Sequence, residues 1–340
     1  MSTHRTRMAD IAAHAGVSTA TVSRVFNGVG QVSKETKLRV LTAIDQLGYE
    51  RPSPEMHDAK PVIGIILPEL TNPIFASYAH AFHTEISHAG GVAHIASQTP
   101  GTASEDAHIA AFINRGVSGL VFISGRHADY QADLSRYHEL TRRSVPFVTI
   151  NGARPEIAAP DFSTGDDIGI RVAVSHLRAL GHTRIALLGG QTHLVPARRK
   201  ADAFRSVMMS EYSTAAPTVV ETFYTYEAAA SAARALLASG ATAIIAGSDI
   251  QALGAIQTIS FTGLTVPGDV SVVGFDDSVL MSHLAPPLTT IHQPVQAITA
   301  AAVQSLMSSI TTKAPQEHVD YVYTPDLVVR ASTGPVHDQS

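Results

Sequence analysis

The chain reads as an α/β protein, with a small helical head followed by a core of two doubly wound parallel-sheet lobes. Three observations predict this. From VIGIILPEL onward, β-branched and apolar runs alternate with helical segments, the pattern of parallel strands covered by helices on both faces. The alternation comes as two series, the second beginning near residue 165. The first 50 residues have no such runs and instead carry short amphipathic segments broken at Gly16 and Asn27-Gly28. A length of 340 residues agrees with two or three units.

In the head, Met8, Ile11, Ala12 and Ala15 follow helical spacing, and Gly16 ends that helix where positive φ is cheap. Ser18 is suited to cap a second helix with the inward stripe Val22, Val25 and Phe26. A third runs from Ser33 through Leu38, Leu41, Ile44 and Leu47 to Gly48. Two short helices about a glycine turn with a third behind them form a helix-turn-helix. Ser18, Thr21 and Ser23 are poor interior helix formers, but they are small and can donate to phosphate oxygens, while Arg24 can fork onto a guanine edge. The alternative is a helical hairpin with a merely polar face.

The charge distribution favours a polyanion. Residues 1–51 carry seven Lys or Arg against four Asp or Glu, and the remainder 17 against 25. A basic head on an acidic body suits a protein whose head alone meets nucleic acid. ERPSPEMHDAKP, with three prolines, reads as an extended connector.

In the body, strands are expected at VIGIILPEL, VAHIAS, GLVFIS and PFVTIN, then RIALLGG, TVVETF, AIIAGS and VSVVGF. Helices are expected between them, including 104–115, 129–143, 166–180, 197–211, 227–239 and 249–261. Function in such folds sits at the carboxyl ends of strands, which here are Asn72, Ser124, Asn151, Ser248-Asp249 and Phe275-Asp276. Taken singly, each could be an ordinary polar loop residue, with Asp249 a helix cap. Their recurrence at successive strand ends favours a shared cleft.

Several classes are disfavoured. No apolar run reaches the roughly 18 residues of a membrane span, and MSTHRTRMAD lacks the apolar stretch of a signal peptide. With no cysteine there is no disulfide framework, so a cytoplasmic protein is expected. There is no Gly-rich phosphate loop and no G-x-S-x-G elbow, so neither an enzyme nor a cofactor is expected. His80 and His83 share a helix face but are too few for a metal site. A transport-type sugar-binding protein and a nucleoside-processing enzyme are the rival readings.

AGVSTATVSRVFNG followed by VSKETKLRVLTAIDQLGY resembles the DNA-binding head of the lactose/galactose repressor (LacI/GalR) family. TNPIF, HLRALGHTRIALLGG, SDIQALGAI, GLTVPGDVSVVGFDD and PPLTTIHQP resemble that family's effector-binding core, which is similar to periplasmic sugar-binding proteins. The resemblance implies base contacts from Thr19, Ala20 and Arg24, and phosphate contacts from Ser18, Thr21, Ser23, Asn27, Gln31, Ser33 and Thr36. It implies effector contacts from Asn72, Phe75, Ser124, Asn151, Lys200, Ser248, Phe275, Asp276 and Gln293. The partners it implies are operator DNA, a small-molecule effector of the sugar or nucleoside class, and a second copy of the chain, with no membrane. The expected domains are a head at 1–50, a linker at 51–60 and a core at 61–334. Within the core, one lobe takes about 61–158 plus 292–322, the other about 159–291 plus 323–334.

The chain departs from the family pattern in four places. Arg7 stands where a threonine usually caps the first helix. The linker lacks the A-R-S-L hinge signature and is about three residues short, leaving Met56 as the candidate minor-groove wedge. Asn151-Gly152 replaces a common Asp-Arg, and Lys200 replaces a common arginine. The last two changes remove bidentate forks.

Overall fold

The computed structural model describes residues 8–27, 32–47, 60–98 and 104–336. The chain divides into two compact units, Met1–Ala59 and Lys60–Ser340.

The first unit holds helices α1 (Met8–Ala15), α2 (Thr19–Asn27) and α3 (Lys34–Gln46). Gly16 adopts φ +62 in the turn, and the Val17 amide returns to the Ala12 carbonyl at 3.0 Å, closing α1 as a left-handed residue allows. Ile11, Ala12, Ala15, Val22, Val40 and Ala43 form the core, with Val25, Ile44 and Leu47 against it. The phase of α3 differs from the expectation. Val40 and Ala43 are buried, while Leu38 and Leu41 are exposed, because Val40, Ala43, Ile44 and Leu47 supply the i, i+3, i+4, i+7 stripe instead. The side chain of Phe26 and the linker lie outside the described residues.

The second unit has two six-stranded sheets. The first takes β1 (Val62–Leu67), β2 (Val92–Ser97), β3 (Gly119–Ile123), β4 (Phe147–Ile150), β5 (Pro160–Thr164) and β11 (Val319–Tyr323), in the order β11-β5-β4-β3-β1-β2. All its pairings are parallel. Helices α4 (Pro73–His88) and α11 (Val295–Thr312) cover one face, and α5 (Glu105–Asn114) and α6 (Ser135–Arg142) the other. The second sheet takes β6 (Ile185–Gly189), β7 (Thr218–Glu221), β8 (Ala243–Ala246), β9 (Ser271–Asp276), β10 (Thr289–His292) and β12 (Asp326–Val328). Its order is β12-β10-β9-β8-β6-β7, with only β12 antiparallel. Helices α7 (Asp166–Ala179) and α8 (Val195–Ser210) pack on one face, and α9 (Tyr226–Ala238) and α10 (Asp249–Phe261) on the other.

The chain crosses between the sheets three times, after β5, β10 and β11. β5 belongs to the first sheet, so that lobe extends through Thr164 rather than ending near 158. The helix expected at 129–143 begins only at Ser135, whose amide donates to Asp133 Oδ1 at 3.0 Å. A single 3-10 turn, Arg126–Ala128, precedes it.

A further contact, a strap, joins the lobes. Asp129 forms an antiparallel bridge with Leu194, and the Tyr130 amide donates to the His193 carbonyl at 2.8 Å. The Tyr130 ring lies between Arg154 of the first lobe, at 5.1 Å, and Arg198 of the second, at 4.4 Å.

Candidate functional site

On α2, Thr19, Ala20 and Arg24 are exposed, with Ala20 and Arg24 on the arc opposite buried Val22. The Ser18 hydroxyl caps the helix by accepting from the Thr21 amide at 3.1 Å, and it lies 2.9 Å from the Thr21 hydroxyl. Ser33 and Thr36 repeat this at α3, with an amide-to-hydroxyl bond of 3.2 Å. Half-buried Ser23 lies on α2 beside Val22. The capping residues therefore have a structural task of their own, and Arg24 carries the long exposed cation. Gln31, Met56 and the side chain of Asn27 lie outside the described residues.

In the second unit, the carboxyl ends of both sheets enclose a cavity of about 220 Å³. Asn72, Phe75, Ser124, Asn151, Lys200, Ser248, Asp276 and Gln293 line it. Ser124, Asn151 and Asp276 adopt positive φ, at 42, 60 and 124. Side chains bearing Cβ rarely occupy that region, and when they do it is often at ligand sites.

Phe275 is a correction. It is fully buried in the second-lobe core and does not line the cavity. It offers its face to Lys200, whose Nζ sits 4.0 Å from the ring centroid. Lys200 in turn ion-pairs with Asp166 at the start of α7.

The first-lobe groups are mostly occupied. Asn72 caps α4 by accepting from the Ile74 amide at 3.4 Å, and Asn151 accepts from the Thr164 amide at 3.3 Å. Gln293, at the second crossing, ties the lobes together. Its Oε1 accepts from the Thr164 hydroxyl at 2.8 Å and the Tyr78 hydroxyl at 3.2 Å. Its Nε2 donates to Asp276 Oδ1 at 2.7 Å.

Two buried polar atoms on the cavity lining are left over. Asp276 Oδ2 and the Tyr224 hydroxyl are buried with no hydrogen-bond partner among the described residues, and both residues line the cavity. Burial pushes the Asp276 carboxyl well above its ordinary range, and nearby Asp249 pushes it further; Lys200 and Gln293 oppose this. Burial likewise raises the Tyr224 phenol. Unpaired buried polar groups are costly, so a cavity holding two of them is suited to a ligand that supplies the partners. Tyr224 fits only because Gly190 lacks a side chain, since a Cβ there would lie 2.2 Å from the ring.

Asp249 has the opposite fate. Its oxygens accept from the Thr290 hydroxyl at 2.6 Å and the Ser278 amide at 2.7 Å, and burial raises its pKa to about 7. It secures the loop after β9 and leaves Asp276 for the cavity. Burial also raises Asp166, while Lys200 pulls it back.

Sequence reading missed Asp166 and Tyr224. Asp166 follows β5, a strand the pattern did not reveal, while Tyr224 was signalled only as an aromatic residue three positions past β7. No group of three or more His, Asp or Glu among the described residues could hold a metal ion, and His80 and His83 are exposed.

Comparison with known proteins agrees with this architecture. Residues 7–52 match the model of bacterial regulatory proteins, lacI family, and residues 174–333 that of the periplasmic binding protein-like domain. The chain is 44% identical over 333 residues to the HTH-type transcriptional regulator MalR of Streptomyces coelicolor, covering 96% of each. It is similar to the transcriptional regulator CelR–cellobiose complex, with TM-score 0.71, 26% identity, and coverage of 96% of this chain and 100% of that one. It also resembles the lac repressor dimer bound to operator and an anti-inducer, with TM-score 0.72, 25% identity, and coverage of 97% and 100%. The chain therefore belongs to the lacI family of bacterial regulatory proteins, and is a DNA-binding transcriptional regulator rather than an enzyme.

Proposed function

We propose that this regulator acts as a homodimeric repressor in the cytoplasm, with α2 reading operator DNA and a sugar-class effector occupying the interlobe cavity. One observation carries the effector reading: Asp276 Oδ2 and the Tyr224 hydroxyl, buried without partners, line the same cavity. Ligand hydroxyls supply what both lack, and the aromatic rings of Tyr224 and Phe75 offer apolar faces to a sugar. The cellobiose held by similar CelR supports the same class. The effector acts by binding one of two conformations more tightly, which shifts the population that holds DNA. A helix-turn-helix alone reads few bases, and a dimer doubles the site. No described helix is long and apolar enough to cross a membrane.

The test is a gel shift of the full chain on DNA upstream of its own gene, with and without a sugar panel. Arg24→Ala is expected to cost ~1–3 kcal/mol on the specific site and much less on random DNA. An equal loss on both demotes Arg24 to a phosphate contact. A panel in which no sugar alters DNA affinity removes the effector reading.

A further inference from the structure

Three carboxyl groups and one amine line the cavity: Glu69, Asp166, Asp276 and Lys200. Lys200 is the single cation among the described lining residues, and it is already committed. Its ammonium pairs with Asp166, both side chains being 6% exposed, and it rests against the Phe275 ring. The two arginines beside it on α8 are also engaged. Arg198 stacks on Tyr130 and donates to the Thr192 carbonyl at 3.0 Å, and Arg199 pairs with Asp320 at 3.3 Å.

Three helix N-termini at the cavity, sites that commonly bind anions, are filled, whereas that of α8 carries no side-chain cap, and Leu194 and Pro196 there line the cavity. Asn72 caps α4, Ser248 caps α10 by accepting from the Gln251 amide at 3.3 Å, and Asp166 fills the first turn of α7. Among the described lining residues an entering phosphate or carboxylate meets no unpaired cation, and it faces the carboxyls of Glu69 and Asp276. Burying a charge without a counter-charge is heavily disfavoured, whereas a neutral hydroxyl can pair with Asp276 Oδ2 or the Tyr224 hydroxyl without that cost.

We propose that Asp166, by neutralising Lys200, sets the cleft to accept uncharged polyols and reject their phosphorylated or carboxylated forms. The inference rests on the effector reading above and narrows its ligand class. Removing the Asp166 charge frees a buried ammonium and reverses the preference.

The experiment measures melting shifts and titration calorimetry of the full chain. The probes are neutral mono- and disaccharides, cellobiose and ribose among them, with their phosphate esters and aldonic acids. In the unaltered protein a neutral probe is expected to raise the melting temperature, and its anionic derivatives to bind at least tenfold more weakly. Asp166→Asn is expected to tighten an anionic probe at least tenfold, and adding Lys200→Gln is expected to cancel that gain. Should Asp166→Asn not fold, Asp166→Ser reads the same gain. An unaltered protein that prefers a phosphate ester to its neutral parent overturns the proposal. So does a folded Asp166 variant with no gain for any anionic probe. If a sugar releases DNA yet the charge preference fails, only this inference falls. If no probe of either kind moves melting or DNA binding, the effector reading falls and the inference with it.

Discussion

The two lobes repeat one strand order, β5-β4-β3-β1-β2 in the first and β10-β9-β8-β6-β7 in the second, yet they equip the cleft differently. The first lobe contributes Glu69 and the neutral groups Asn72, Ser124 and Asn151, and the oxygens of both amides already accept from backbone N–H groups. The second contributes Asp166, Lys200, Asp276 and Tyr224, with two polar atoms unpaired. Topology is shared, but the fully buried unpaired atoms on the cavity lining belong to the second lobe. Both lobes face the ligand with polar groups, and the second adds the buried ion pair and the orphan oxygens.

The largest effect expected from that asymmetry is at Asp276. Loss of the buried Asp276 carboxyl leaves the ligand hydroxyls it pairs unsatisfied, at ~1–3 kcal/mol each, so Asp276→Ala should weaken binding of an effector held by two such bonds by at least ~25-fold at 1.4 kcal/mol per decade. DNA affinity without effector should stay unchanged. Calorimetry beside a melting curve checks this, and joint loss of stability and DNA binding would mean that Asp276 only ties down its loop. Gly190→Ala should weaken binding by about tenfold, because the added Cβ displaces the Tyr224 ring into the cavity and costs ~1–3 kcal/mol of overpacking. Unaltered affinity in the same titration would show that the ring has room to move. Asn72→Ala in the first lobe should mainly lower the melting temperature by the loss of a helix cap, ~1 kcal/mol, with less than tenfold effect on the ligand. A loss matching that of Asp276→Ala would erase the distinction between the lobes.

The smallest effect is a pH dependence. Asp249 has a raised folded-state pKa, about 7 against an ordinary 3.8, so between those values the folded protein holds more proton than the unfolded chain. Its contribution is therefore fully present below about pH 4 and declines as pH rises through about 7. Buried His127 and His182 and half-buried His176, with lowered pKa values, run the opposite way up to their ordinary value. The comparison is thus with Asp249→Asn, whose melting temperature should fall less between pH 5 and pH 8 than that of the unaltered protein. Parallel pH profiles would place the proton elsewhere.

Much of this site was legible because doubly wound folds put their ligands at strand ends, and the strand ends could be read from apolar runs. Phe275 was misplaced for a reason of geometry: successive strand residues face opposite sides, so the residue before Asp276 points into the core. β5 escaped because PDFST satisfies its polarity internally. Asp161 accepts from the Thr149 hydroxyl at 2.8 Å and the Gly152 amide at 3.0 Å, bonds that no periodicity announces. Without that strand, Asp166 could not be placed at a strand end. In the head, α3 offers two apolar stripes, and only packing against α1 and α2 chooses Val40 and Ala43 over the larger Leu38 and Leu41.

The strap at Tyr130 bears on time rather than on affinity. Ala128 and Leu194, at its two sides, also line the cavity, so the connection borders the cavity. One interlobe backbone hydrogen bond and two arginine–ring contacts hold it, together worth about 1.5–3.5 kcal/mol at exposed sites. Parting such contacts is easy for the protein. Where exit requires the strap to part, every ligand shares that step, whatever the number of its own hydrogen bonds.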